Sequence, residues 1–140
     1  MDETDRKIIN ELKENSRAAV REIAKKTKLR PSTVHKRIQK LIKERAIEKF
    51  TVKLNNKSAE ENFIAFVLVK TKPSVILERK IFAVKNIKEV FGITGEYDLL
   101  LKAKFKDIEE FNSFLLRLRK EQGIETTSTM IATVDIKEEI

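Results

Sequence analysis

Several residue types are scarce in this 140-residue chain, and each shortage excludes a class of chemistry. There is no cysteine, which excludes disulfides, thiolate zinc sites and cysteine nucleophiles. The three glycines are Gly92, Gly95 and Gly123, so the chain has no glycine-rich phosphate loop. No apolar run approaches the roughly 18–20 residues of a membrane span, and the acidic segment 1–5 lacks the basic start of a secretory signal. We therefore expect a cytoplasmic protein without a membrane partner.

Groups that could carry catalysis are also scarce. Enzymes need an activated nucleophile, an acid–base pair or a metal. The one histidine, His35, lies in a basic helical segment, where contact with a phosphate or a base is a simpler role. Glu109 and Glu110 stand at the start of a predicted helix and complement its dipole there. We predict that the chain is not an enzyme and holds no metal or cofactor.

Positive charge is abundant, but it is confined to the first part of the chain. Residues 1–54 contain 16 Lys and Arg against 8 Asp and Glu, whereas residues 55–140 contain 14 of each. The net charge of +8 therefore belongs to the first segment. A hydrophobic content of 41% is enough for folded cores despite the high charge. A basic module joined to a neutral one predicts that the first binds a polyanion and that the second has another function.

Three helices are predicted in the basic part. Asp2 or Thr4 caps the first, which ends near Asn15. The second covers about 18–26 and is followed by a turn. Pro31 begins the third, because proline has no N–H to leave unpaired at a helix start.

The third helix has a buried stripe and a basic side. Val34, Ile38, Leu41 and Ile42 follow the i, i+4, i+7, i+8 spacing of one buried stripe. On the remaining surface, small hydroxyls can approach base edges and lysines can reach phosphates, as in a helix lying in the DNA major groove. The predicted DNA-binding residues are Arg30, Ser32, Thr33, His35, Lys36, Arg37, Lys40 and Lys43. The alternative is a solvated lysine-rich surface.

The segment that follows alternates apolar and polar residues. Ile47–Leu54 has the period of two that is typical of a strand, so we predict a short return strand there. The predicted organisation is a winged-helix-like helix-turn-helix domain over 1–54, a hinge over 55–60 and a second domain over 61–140.

The second domain is predicted to contain strand, helix, strand, strand, helix and strand, in that order. This is the split βαββαβ arrangement of ferredoxin-like domains, and the fold class is therefore α+β. The predicted strands cover 63–69, 87–94, 97–105 and 124–134, with a hairpin turn about Gly95 and Glu96; the predicted helices cover 74–85, with Leu77, Ile81 and Val84 inward, and 107–121, with Ile108, Phe111, Leu115 and Leu118 on one side.

The strands of this domain are more apolar than one helical layer requires. The stretch Phe63–Val69 is apolar at every position, and Leu99–Leu101 also breaks the alternation. Both faces of the sheet therefore need burial, although helices cover only one. We predict that a second subunit covers the other face in a homodimer. The alternative is that the N-terminal module folds back over it.

These patterns resemble the Lrp/AsnC family of archaeal and bacterial transcription regulators, with an archaeal source expected. The resemblance spans nearly the whole chain. The matching stretches are Asp5–Leu12, Arg21–Ala24, Ser32–Ile38, Lys40–Leu41, Ile47–Phe50, Gly92–Asp98 and Thr127–Ile131.

Two positions depart from the family pattern. Lys28 occupies the turn position, and Arg45 the position before the return strand, where the family usually has glycine. If these backbones remain left-handed, each costs on the order of 1 kcal/mol.

The resemblance also implies functions for the second domain, which is RAM/ACT-like. It implies homodimers, in some relatives octamers of four dimers, with a small effector, usually an amino acid, at contacts between dimers. The implied effector-binding residues are Gly95, Glu96, Tyr97, Asp98, Thr127, Thr129, Met130 and Ile131. Asp98 can receive an ammonium group, and threonine hydroxyls and backbone N–H groups can receive a carboxylate. The alternative is ordinary hairpin chemistry, with glycine for the turn and aspartate bonding nearby N–H groups.

The predicted function is therefore sequence-specific transcriptional regulation on double-stranded DNA, associated with the nucleoid and controlled by an amino-acid effector. The alternative is an architectural DNA-binding protein without an effector. Its DNA-binding module would have the same sequence pattern, but its binding would be salt-dependent with little sequence preference.

Overall fold

The computed structural model describes residues 1–139 and divides the chain after Val52 into two compact units. The first holds three helices, and the second holds a four-stranded sheet with one helix, which confirms the predicted α+β class. None of the helices in the described residues has the length and apolar character that crossing a bilayer requires. The elements are α1 (Glu3–Glu14), α2 (Val20–Thr27), α3 (Pro31–Lys43), β1 (Phe63–Thr71), a 3₁₀ turn (Arg79–Phe82), β2 (Ile87–Gly92), β3 (Leu99–Phe105), α4 (Ile108–Arg119) and β4 (Ile124–Ile131).

Helix α1 begins with a reciprocal cap. The carboxylate of Asp2 accepts from the backbone N–H of Asp5, and the Asp5 carboxylate accepts from the N–H of Asp2, both at 2.9 Å. These bonds satisfy two N–H groups that have no partner within the helix. The prediction that Asp2 or Thr4 caps α1 is confirmed, with Asp2 as the cap.

Two turns of the first unit use left-handed backbone at residues other than glycine. Lys28, after α2, has a φ of 57°, and Arg45, after α3, has a φ of 56°. Both therefore carry the strain expected for these departures from the family pattern. Pro31 is the first residue of α3, as predicted.

The core of the first unit is built where the three helices meet. Its largest fully buried side chains include Ile8, Ile23, Val34 and Leu41. Ile42 is 39% exposed, so the prediction that it belongs to the buried stripe of α3 is wrong. It lies near the end of the helix, where no other element of this unit covers it.

The predicted return strand over 47–54 is also absent. A strand needs a partner for its backbone groups, and this segment has none among the described residues. Its alternating apolar residues are largely exposed: Phe50 by 50%, Val52 by 68% and Leu54 by 61%.

The second unit contains a fully antiparallel sheet in the order β2-β3-β1-β4. The central strands pair from Phe63 with Phe105 to Val69 with Leu99. This is the strand order of a ferredoxin-like domain, as predicted. The last strand ends at Ile131, earlier than the predicted 134.

Helix α4 covers one face of the sheet, and the main core lies between them. Ala65, Val67 and Leu101 from the strands are fully buried beneath it. Phe111 and Phe114 from the helix pack with Phe105, at ring-centroid distances of 5.4 and 5.1 Å. Ile108, which was predicted to share one side of this helix with Phe111, Leu115 and Leu118, is 52% exposed. It is the first residue of the helix, and the inward position one turn on belongs to Phe111.

The predicted helix over 74–85 is wrong, because only Arg79–Phe82 forms a short 3₁₀ turn. Glu78 has extended backbone, with φ −70° and ψ 136°, which interrupts helical hydrogen bonding. β-Branched Val75 and Ile76, which precede it, also disfavour a helix. Val84 is 37% exposed rather than inward. Three side chains still pack on the core: Leu77, Ile81 and Phe82.

The other face of the sheet carries an apolar patch, which we call the open face and define as Phe66, Leu68, Phe91, Leu100 and Met130. Strand register places these residues on the side opposite α4, because Phe66 pairs with Met130 and Leu68 with Leu100. Phe91 is 50% and Met130 51% exposed. Among the described residues of this unit, no helix covers this face.

Candidate functional site

Most of the predicted DNA-binding side chains lie together on the exposed side of α3. Ser32, His35, Lys36, Lys40 and Lys43 are exposed, and Thr33 is half-buried at the helix start. Arg30 is also exposed, at the N-cap position, where its backbone carbonyl accepts from the N–H groups of Thr33 and Val34. This side of α3 therefore presents hydroxyls at its first turn and lysines along its length.

Lysines on this surface remain available for an external anion. Lys40 has one acidic neighbour, with 3.8 Å between its Nζ and Glu44 Oε1, and its side chain is 50% exposed. At this distance an exposed i, i+4 pair contributes only a few tenths of a kcal/mol. The other two lysines, Lys36 and Lys43, form no ion pair within residues 1–139.

Arg37 is placed differently from the other predicted DNA-binding residues. Its Nη1 binds the carboxylates of Asp2 and Asp5 at the start of α1, with 3.1 Å to Asp5 Oδ1. The pKa of Asp2 is lowered mainly by the hydrogen bond from the backbone N–H of Asp5 and further by the hydrogen bond from Arg37. Hydrogen bonds to the same carboxylates raise the pKa of Arg37. Arg37 therefore joins α3 to α1 in addition to any role at the DNA.

The predicted effector residues of the hairpin form a tight turn between β2 and β3. Gly95 has a φ of 113°, which residues with a side chain rarely adopt. Asp98 Oδ2 accepts from the backbone N–H of Thr71 at 2.7 Å and from its hydroxyl at 2.9 Å. These bonds, the backbone one first, and the nearby Lys70 lower the pKa of Asp98. The carboxylate is therefore ionised at neutral pH, and Oδ1 has no hydrogen-bond partner within residues 1–139.

The predicted effector residues of β4 divide between the two faces of the sheet. Thr127, Thr129 and Ile131 pair with Val69, Val67 and Ala65, so they lie on the α4 side. Met130 pairs with Phe66 and lies on the open face. This division follows from the alternation of side chains along a strand.

The hairpin and Thr127 lie at the same end of the sheet, on either side of β1, whereas Met130 and Ile131 pair with Phe66 and Ala65 nearer its other end. The backbone N–H of Asp98 donates to the carbonyl of Val69 at 2.9 Å, and Thr127 is the strand partner of Val69. Strand pairing therefore brings together two segments that are far apart in the sequence. Glu96 is exposed and Tyr97 half-buried beside Asp98.

Two further polar residues belong to this end of the domain, and local sequence patterns did not identify them. Thr71 binds Asp98, and Arg119 at the end of α4 donates from Nε to Thr127 Oγ1 at 3.1 Å. Both contacts depend on which elements pack together, so a motif within one segment cannot reveal them. The buried hydroxyl of Thr129 has no hydrogen-bond partner in the described part of the chain.

Comparisons with known proteins cover both units. The family model of the AsnC-type helix-turn-helix domain matches residues 1–42, and that of the Lrp/AsnC ligand binding domain matches residues 64–140. An HTH-type transcriptional regulator of Pyrococcus abyssi, FL11, is 41% identical over 99% of this chain and 93% of its own length. An uncharacterized HTH-type transcriptional regulator of Pyrococcus furiosus is 38% identical over 100% of this chain and 97% of its own length.

Solved structures show the same fold. An AsnC family transcriptional regulator from Agrobacterium tumefaciens has a TM-score of 0.89 at 29% identity, over 99% of this chain and 94% of its own. A transcriptional regulator from Neisseria meningitidis, solved as a complex with L-Met, also has a TM-score of 0.89, at 28% identity over 99% of this chain and 93% of its own.

Proposed function

The chain belongs to the Lrp/AsnC family of transcriptional regulators, and from this premise we propose a specific mode of action. A homodimer binds double-stranded DNA through α3 of each subunit and responds to an amino acid bound by the second domain. The observation that carries the proposal is the exposed, basic and hydroxyl-bearing side of α3, in a chain whose second unit matches a ligand-binding family.

The DNA-binding step assigns two tasks to the surface of α3. Ser32, Thr33 and Lys36 approach base edges in the major groove, because they occupy the first turns of the helix. Lys40 and Lys43 lie nearer phosphates, which supply affinity but no sequence information. His35, Arg30 and Arg37 contribute from the flanks, with Arg37 retaining its contacts to α1.

Binding assays on protein variants test this division. Lys40→Ala should weaken binding about equally on all sequences and reduce the slope of log affinity against log salt by roughly one. Thr33→Ala should relax the preference at one base step, by roughly 1–3 kcal/mol. Lys13→Ala, an exposed lysine of α1, is the control and should change little. A footprint that is unchanged by substitutions across Ser32–Lys36 would exclude this placement. Strong binding without sequence preference would favour the architectural alternative.

The dimerisation step uses the open face. Several large apolar side chains of the open face are half exposed. A second copy that covers them would remove this apolar surface from water, which favours association. A two-fold axis through this face pairs it with itself and gives the DNA paired half-sites. Higher assembly, as an octamer of four dimers, is a further part of the proposal.

Substitution of one open-face residue tests the dimer. Leu100→Lys places a charge where the partner must pack, which should make the protein monomeric at micromolar concentration while it stays folded. Val67→Lys, beneath α4, should instead unfold the domain, because Val67 is fully buried. Leu116→Lys is the matched control, since Leu116 is 60% exposed on α4. Light scattering that shows a wild-type monomer at micromolar concentration would refute the dimer.

The effector step uses the two segments on either side of β1. Asp98 Oδ1 binds the ammonium group, while Thr127, Thr129 and backbone N–H groups bind the carboxylate. Gly95, Glu96 and Tyr97 line the site beside Asp98. Met130 on the open face and Ile131 farther along β4 lie away from the hairpin, so these two candidates join the site only through contacts between dimers. The ligand can shift the equilibrium between the dimer and the higher assembly of dimers only if it binds one of these two states more tightly than the other. The Neisseria regulator that was solved with L-Met supports an amino acid as the ligand class.

A thermal-shift and calorimetric screen against the twenty L-amino acids tests this step. A ligand that binds only the folded state must raise the melting temperature. Asp98→Ala should abolish the response and leave DNA binding by the dimer intact, whereas Glu125→Ala, an exposed residue of β4, should leave both unchanged. If Asp98→Ala keeps wild-type affinity for the ligand, the proposed site is wrong. If no amino acid binds the wild type, the effector role is wrong.

A further inference from the structure

A cluster of buried charges lies at one end of the sheet, on the same side as the open face. Lys102 and Lys104 of β3 point to this side, because they pair with Phe66 and Ile64 of β1. Glu138 bridges the two lysines. Its Oε1 is 2.7 Å from Lys102 Nζ, and its Oε2 is 2.8 Å from Lys104 Nζ. The side chains of Lys104 and Glu138 are only 10% and 14% exposed.

Asn56 and Glu89 complete the cluster. Lys104 Nζ donates to Asn56 Oδ1 at 2.7 Å, and Asn56 Nδ2 donates to Asp135 Oδ2 at 3.3 Å. Glu89 Oε1 accepts from Lys102 Nζ at 3.2 Å. The two lysines are therefore neutralised by two carboxylates. Two of the contacts hold the C-terminal segment 132–139, through Glu138 to β3 and through Asp135 to Asn56.

The C-terminal segment 132–139 buries apolar surface at one end of this side of the sheet and exposes apolar side chains of its own. Beside it Ile64 is 7% exposed, whereas Phe91 and Met130 of the open face are half exposed. The segment itself carries Val134 and Ile136, which are 67% and 91% exposed. It therefore covers one end of this side and adds new apolar surface next to the open face.

We propose that Glu138 is a positioning residue for dimerisation: it holds segment 132–139 on the sheet so that Val134 and Ile136 pack against a second copy of this chain. The proposal rests on the dimer through the open face described above. Charge is the physical reason for a second copy as the occupant. A two-fold contact through this side of the sheet would bring Lys102 and Lys104 of both copies into one interface, and unpaired like charges oppose such an interface. Glu138 removes this repulsion and extends the apolar contact at the same time.

Sedimentation of the full-length protein over a concentration series tests the proposal. Glu138→Gln removes the charge but keeps the size of the side chain, and it should weaken dimerisation at least tenfold. Glu139→Gln is the matched control, because Glu139 pairs only with exposed Lys137 in the described chain. Its dimer dissociation constant should stay within twofold of the wild type. A double variant, Val134→Ser with Ile136→Ser, should also weaken the dimer at least tenfold without unfolding it, since both side chains are exposed.

The outcomes separate this inference from the dimer itself. A wild-type protein that is monomeric at micromolar concentration overturns both. A wild-type dimer that Glu138→Gln leaves unchanged overturns the role of Glu138 alone. If Glu138→Gln fails to fold by circular dichroism, the double variant decides: an unchanged dissociation constant then overturns the proposal, and a weakened dimer supports it.

Discussion

Arg37 in the middle of α3 donates from Nη1 to Asp5 Oδ1 near the start of α1, at 3.1 Å, although the two residues are 32 positions apart. The Asp5 side chain is 2% exposed and that of Arg37 31%. This pair therefore fastens the proposed DNA-recognition helix to the first helix of its unit. It also fixes the guanidinium of Arg37 on the α1 side of α3.

The Arg37–Asp5 pair predicts a stability defect. Asp5→Ala removes the buried one of the two carboxylates that Arg37 binds, and half of the reciprocal cap, so the first unit should lose about 1.5–3 kcal/mol of stability. Urea unfolding followed by far-UV circular dichroism measures the loss. Glu3→Gln is the control, because it breaks only an exposed i, i+4 pair with Lys7 and should cost less than about 0.5 kcal/mol. Equal midpoints for the two variants would contradict the structural role of Asp5.

The left-handed residues of the first unit predict stabilising substitutions. Lys28→Gly and Arg45→Gly remove the close approach of Cβ to the backbone, and each should raise the free energy of unfolding by up to about 1 kcal/mol. Lys25→Gly tests the opposite case, because Lys25 lies in the regular helix α2, where glycine costs about 1 kcal/mol. Thermal melts of the three variants compare the effects. A loss of stability in both turn variants would show that these side chains make contacts that outweigh the strain.

Substitution of Thr129, whose hydroxyl is buried, can distinguish an effect on folding stability from an effect on ligand binding. Since Oγ1 has no hydrogen-bond partner among the described residues, Thr129→Val should leave stability unchanged or raise it. Under the effector proposal the same variant should bind the amino acid more weakly, because a carboxylate would lose a donor. Thermal melts without ligand and calorimetry with ligand measure the two effects. Unchanged ligand affinity would remove Thr129 from the site.

The lowered pKa of Glu138 predicts that the stability of the second unit depends on pH in the acid range. Hydrogen bonds from Lys102, and then from Lys104, lower its pKa from 4.5 to about 2. A carboxylate with a depressed folded-state pKa contributes stability that is fully present above its unfolded value and is lost as the pH falls. The second unit should therefore lose stability between about pH 4.5 and pH 2. Melts over this range should show a shallower loss in Glu138→Gln than in the wild type, while Glu139→Gln should follow the wild type.

Short-range patterns in the sequence predicted the elements whose boundaries depend on neighbouring residues. The capping carboxylates Asp2 and Asp5 define the start of α1, and Pro31 begins α3. The apolar residues of β1 and β3 identified the central strands of the sheet. Capping bonds, proline geometry and side-chain periodicity act over a few residues, so they can be recognised without knowledge of the fold. The concentration of positive charge in the first unit was evident in the same way.

Tertiary structure decided the features that depend on distant partners. Ile42 has the spacing of a core residue, yet within the described residues of the first unit it stays 39% exposed. Residues 74–85 have helical periodicity, but extended backbone at Glu78 leaves only a short turn. Arg37 on the basic helix binds α1, and Glu138 near the end of the chain binds β3. Periodicity describes which residues share a face, whereas burial and ion pairing depend on what packs against that face, which only the assembled structure determines.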